Sequence, residues 1–224
     1  MTLRWLGGPV ALGLTAAGAA GQEAPPVERQ VTGTTLVSES GPAVEITVPD
    51  GARYLGAERI LINDRFDAEL HVFAEADAYG EIERFYWFQF ETYLDGAEGS
   101  YDYRASVPDV VMVDGFEMFM TPGGGNTEED TIRPGSDYAA FRGLVDAAGL
   151  RLPTWISTLR LVHLYEPTDR AEFIVFYGEG PDALAAAAAE AMMAGQPGLM
   201  FDDMLARFVE DVDALVTLTP LDGP

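Results

Sequence analysis

The chain has no cysteine, and His71 and His163 are its only histidines. Without cysteine there can be no disulfide, thiolate metal site or cysteine nucleophile, and nothing to carry a lipid on a thiol. Lysine is absent too: the 13 basic residues are all arginine and face 37 Asp and Glu, giving a net charge of −24. A polyanion needs a basic footprint on its partner, and none is visible, so nucleic acid is excluded. The same charge argues against an anionic membrane surface. It favours solubility, cations or a basic partner, and it equally suits an acidic coat adapted to a salty exterior.

The usual catalytic and cofactor motifs are also missing. Gly123-Gly124-Gly125-Asn126-Thr127 lacks the lysine and spacing of a P-loop and the third glycine of a dinucleotide fingerprint. No serine stands in a G-x-S-x-G elbow, and no H-x-x-x-H pair exists. No cofactor is implied.

What the chain does have begins at its N-terminus. Arg4 supplies a positive start, and 5–20 is an uncharged run rich in Leu, Val, Ala and Gly that ends in small residues before Gln22. That is the layout of a secretory signal peptide, and the run is too short and too glycine-diluted for a spanning helix. The expected organisation is a signal peptide at 1–21, an extended leader at 22–30, one α+β domain at 31–218 and a tail at 219–224. The mature protein is then periplasmic or secreted, with no stable membrane association. A content of 48% hydrophobic and 11% aromatic residues is that of a folded globule.

Along the domain the dominant period is two. Strands are expected at 31–37, 43–48 and 54–62, then in a hairpin of 68–75 and 81–94 around Asp77-Ala78-Tyr79-Gly80. In its return strand Ile82, Arg84, Tyr86, Phe88 and Phe90 are expected to share one face, and Glu83, Phe85, Trp87, Gln89, Glu91 and Tyr93 the other. Asp114-Gly115 between two apolar runs marks a type I′ hairpin, and 158–165 with 171–178 forms a further one. Helices are expected at 136–148, capped by Ser136 and stopped by Gly149, at 181–194, and at 199–216. Strands first and helices later indicate a single antiparallel twisted sheet with three helices packed on it.

Candidate sites follow from chemistry. His71 and His163, joined by Glu75, are the candidates for divalent-metal ligation or for proton transfer near neutral pH. The stretch 75–82 has carboxylates in a partial calcium-loop spacing, but Tyr79 and Tyr86 occupy ligand positions, and a hairpin turn accounts for it. The glycine-rich segment 121–135 reads as a long irregular loop. It leads to Arg133, which sits just before a helix N-terminus where an anion could bind. Trp87, Tyr93, Tyr101 and Tyr103 offer amphipathic rings to line a sheet–helix groove. The leading expectation is a non-catalytic binding module for a small apolar ligand or another exported protein, using Trp87, Tyr93, Tyr101, Tyr103 and Arg133. The rivals are a hydrolase, metal-assisted or not, built on His71 or His163 with neighbouring carboxylates, and an acidic inhibitor of a basic protein.

Overall fold

A computed structural model describes residues 26–107, 109–180 and 198–221, and the side chains of all but 198–204 of these. The signal peptide expected at 1–21 and the helix expected at 181–194 lie outside the described residues. Among those residues, no helix is long and apolar enough to cross a membrane.

The period-two segments form strands, all joined in antiparallel fashion, but into two sheets instead of the single one expected. Strands β1 (Gln30–Thr32), β2 (Thr35–Ser38), β3 (Val44–Thr47) and β11 (Thr217–Pro220) make a four-stranded sheet in that order. The other seven are β4 (Arg53–Ile62), β5 (Phe66–Ala76), β6 (Ile82–Tyr93), β7 (Val110–Val113), β8 (Phe116–Asn126), β9 (Trp155–Leu164) and β10 (Ala171–Glu179). They pair in the order β4-β5-β6-β10-β9-β8-β7.

Local chemistry explains the departures. The strand expected over 31–37 is broken by a turn at Gly33-Thr34 into the β1–β2 hairpin, in which Val31 pairs with Leu36. A turn closed by Ala52 N–H on the Pro49 carbonyl follows β3, and the chain leaves the small sheet there. Part of the expected tail is strand, because β11 returns to pair with β3 and buries Leu218. Hairpins are well signalled by their turn residues. Asp114 and Gly115 both have positive φ, 48° and 89°, as a type I′ turn requires. The first half of the segment expected as an irregular loop over 121–135 is in fact the end of β8, with Thr121 opposite Arg160 and Gly125 opposite Ile156. Glycine is needed there: Gly124 sits at φ 143°, and a Cβ on it would lie 2.4 Å from the Ile156 carbonyl oxygen.

Three helices are described: α1 (Tyr103–Ser106), α2 (Asp137–Ala147) and α3 (Gly198–Leu215). Ser136 caps α2, its hydroxyl accepting from Ala139 N–H at 3.1 Å. Helix α2 lies against β4 and β5 and buries Ala140, Phe141 and Val145. On the opposite face of the large sheet, Phe208 and Val212 of α3 join Leu36, Val44 and Ile46 of the small sheet. The large sheet is thus covered on both sides, and every residue of its central strand β10 is buried. The fold is α+β, with helices on both faces and the small sheet beside α3.

Candidate functional site

On the face under α2, Trp87 lies between Phe141 and Phe176, with ring centroids at 5.1 Å and 5.2 Å and nearly parallel planes. Beside it is a cavity of about 20 Å³, lined by aromatic and aliphatic side chains with Thr127, Asp130, Tyr138 and Thr158. Missing side chains help to make this room. Gly125 presents open space, and the Phe85 ring lies where a Gly178 side chain would have to go. The polar rim is tied together by the Tyr138 hydroxyl, which donates to Asp130 at 2.6 Å. Trp87 is only 4% exposed, yet its indole Nε1 has no hydrogen-bond partner among the described residues. A buried donor left unmatched costs roughly 1–3 kcal/mol, so most buried polar atoms have a partner.

Two and four residues further along the same face of β6 stand Gln89 and Glu91. Glu91 pairs across the strands with Glu172 of β10, so two carboxyl groups face each other in the interior. The Tyr101 hydroxyl donates to Glu91 at 2.7 Å, and Gln89 Nε2 donates to it at 2.8 Å. Arg160 of β9 reaches both Glu172, at 3.3 Å, and the Tyr103 hydroxyl, at 2.7 Å. Burial above all, and then the Glu172 charge, push the Glu91 carboxyl up to about 8, against the pull of Tyr101 and Gln89. Burial pushes Glu172 up as well, although Arg160 and Tyr103 oppose it. At neutral pH this pair therefore holds a proton. Oε1 of Gln89 and Oε2 of Glu172 have no partner among the described residues, leaving acceptors beside that proton.

The opposite face carries a different polar chain. The Tyr54 hydroxyl is 3.0 Å from His71 Nδ1, and His71 Nε2 is 2.8 Å from Glu69. Glu69 also accepts from the backbone N–H of Glu28 and of Arg29. In the neutral ring, Nε2–H donates to the carboxylate and Nδ1 accepts from Tyr54. Burial would raise Glu69, but His71, the two backbone donors and the Arg29 charge outweigh it and hold the carboxyl down at about 2. Carboxylate, imidazole and hydroxyl in this order resemble a hydrolytic triad. The hydroxyl, however, is pushed up to about 12 by burial and by Glu69, away from the ionisation a nucleophile needs. The chain instead anchors the leader: the Arg29 guanidinium stacks 3.7 Å above Phe90 and bonds Glu69.

The residues expected to form sites are distributed unevenly. Trp87, Tyr93, Tyr101 and Tyr103 come to one face, the last three as neighbouring rings at 5.0 Å and 5.9 Å. Arg133 is exposed on the loop before α2 and lines neither the cavity nor the acid pair. His71 and His163 are not brought together, because β6 and β10 lie between their strands, a separation of about 14 Å at ordinary strand spacing. Both His71 nitrogens are already engaged, and His163 Nδ1 sits 3.0 Å from the Glu117 carbonyl. Glu75 instead accepts from Tyr86 at 2.6 Å, far along β5 from His71. No group of three or more metal-ligating side chains is assembled among the described residues. Sequence reasoning passed over Glu91, Glu172, Gln89 and Arg160. The available signal was polar residues set in strands whose neighbours are bulky and apolar on both faces. No protein-family model, curated protein or solved structure matches this chain.

Proposed function

We propose that this chain is a non-catalytic binding protein for a small, mostly apolar ligand seated between α2 and the large sheet. The ligand packs against Trp87, Phe141 and Phe176 and offers a hydrogen-bond acceptor to Trp87 Nε1. The observation that carries this reading is the sealed, unmatched indole N–H beside a cavity walled by aromatic rings. A cavity of about 20 Å³ holds one water. A larger ligand therefore enters by parting the Tyr138–Asp130 rim. The exported location expected from residues 1–21 belongs to the same proposal, as does a carrier or sensor role in that compartment.

Native mass spectrometry of the protein purified from its own host tests whether an organic ligand is retained. A matched pair of probes tests the chemistry. Acetophenone carries a ring and an acceptor; ethylbenzene carries the ring alone. The ketone should bind about tenfold more tightly, the worth of one hydrogen bond to a buried donor. Trp87→Phe should remove that preference. Binding of neither probe, together with a bare mass, would reject the reading.

A further inference from the structure

We propose that residues 94–107 form a proton-latched cover over the Glu91–Glu172 pair, closed while the pair holds its proton and opened when that proton is lost to solvent. The segment follows β6 and lies on the α2 side of the large sheet, where Tyr103 and Val107 pack. Its two inward hydroxyls, Tyr101 and Tyr103, end in the Glu91–Glu172–Arg160 cluster. Tyr101 also stacks on Phe66 and Tyr103 on Phe119, Val107 packs against the same core cluster as Phe119, and the ties from Arg65 and Arg170 are to backbone carbonyls. Arg65 donates to the Glu98 carbonyl at 2.6 Å, and Arg170 to the carbonyls of Gly99 and Leu94 at 2.6 Å and 3.3 Å. Helix α1 within it buries none of its residues and has no side-chain cap. None of residues 94–107 is fully buried, and segments of that kind open locally before paired strands do.

The charge balance supplies the switch. Glu91 is faced by Glu172 from β10, Arg160 from β9, Tyr101 and Tyr103 from the cover, Asp137 at the start of α2, and Gln89 and Tyr93 on its own strand. From β5 it is faced only by Ala68. Beyond Tyr93 stand Arg65 and Arg170, both engaged with that ring. Within the closed space one guanidinium meets two carboxyl groups, so neutrality requires a proton. Losing it leaves a second negative charge where solvent does not reach, and an isolated buried charge is expensive until water is admitted. The wall that yields most easily is the cover, since the others are paired strands and a capped helix.

Hydrogen exchange of the full chain, corrected for intrinsic rates, tests this in peptides spanning 94–107. Between about pH 6 and about pH 9.5 their protection should fall at least about tenfold, while peptides of β5 and β9 keep theirs. Glu91→Gln should hold the cover closed at both pH values. If that variant fails to fold, infrared spectroscopy of the wild type serves instead: the protonated-carboxyl band should vanish over the same range in which the cover opens. Unchanged protection, equal opening in Glu91→Gln, a carboxyl band lost well before opening, or loss of protection across the whole sheet would each overturn the proposal.

Discussion

Glu69 and Glu91 sit on neighbouring long strands, on opposite faces of the large sheet, 1% and 7% exposed. Nearly equal sealing from solvent leads to opposite chemistry. Glu69 is held at about 2 and Glu91 is raised to about 8. Burial acts upward on both, and the partners decide whether it is outweighed. Glu69 collects two backbone N–H groups, an imidazole and a guanidinium, all donors aimed at a carboxylate. Glu91 has a tyrosine and an amide as donors but looks across at another carboxyl. One face has a structural anion that fastens the leader to the sheet; the other has a neutral acid able to titrate near physiological pH.

The largest way to break this contrast is to remove the anion. Glu69→Ala leaves Arg29 buried without its carboxylate, His71 without an acceptor and two backbone donors unmatched. Breaking a buried pair in this way costs about 3–5 kcal/mol. Urea unfolding at neutral pH should show that loss as a lower midpoint with an unchanged slope. A loss below about 1 kcal/mol would mean that solvent already reaches the site.

The acid face should respond with the opposite sign. Because the folded Glu91 value lies above its ordinary one, its contribution is complete below the ordinary carboxyl range. It is lost as pH rises from about 4.5 to about 8. Glu69 behaves in reverse, since its folded value is depressed. It stabilises above the ordinary carboxyl range and loses that contribution as pH falls toward about 2. Glu91→Gln should therefore flatten the alkaline limb of the stability profile. Above about pH 9 it should be more stable than the wild type by a few kcal/mol, on the order set by a shift of several pKa units. A wild-type profile that is level between pH 5 and pH 9, to within about 0.5 kcal/mol, would contradict the assignment.

Much of this framework was legible in the sequence, and the limits of legibility are physical. The alternation in β6 assigned Phe85 to Phe90 to the correct faces, because period two is a property of one strand. It misplaced Ile82, which a register shift between Glu75 and Ala76 turns to the side of Phe85 and Trp87. Ser136 and Gly149 bounded α2 by local capping chemistry. The division into two sheets was hidden, because which strands pair is settled by contacts distant in sequence, such as β11 with β3. Gly123 to Gly125 looked like a loop, since composition does not distinguish glycine freedom from glycine used for close strand approach. In the site, the aromatic members were visible as bulky residues on a face. Glu91 and Glu172 were not, because 37 acids hide the few that pairing brings inside.

A smaller perturbation compares the two faces with one identical chemical change. Tyr54→Phe deletes the hydroxyl that serves His71 Nδ1 at 3.0 Å and leaves that nitrogen unmatched in a sealed site. A loss of about 1–2 kcal/mol is expected, visible in thermal or urea unfolding, with the alkaline limb left in place.

Tyr101→Phe makes the same deletion on the acid face and should cost less. At neutral pH its acceptor is a protonated carboxyl, so the lost bond joins two neutral groups and is worth about 0.5–1 kcal/mol. The more telling change is in titration. The Tyr101 hydroxyl favours the ionised form of Glu91, so removing it raises the carboxyl further. The variant is slightly less stable at neutral pH, and its alkaline limb runs on to higher pH than in the wild type. Infrared titration of the carboxyl band checks the direction. A midpoint moving downward would show that Tyr101 steadies the protonated acid instead, and that the contrast between the two faces depends less on donors than on burial.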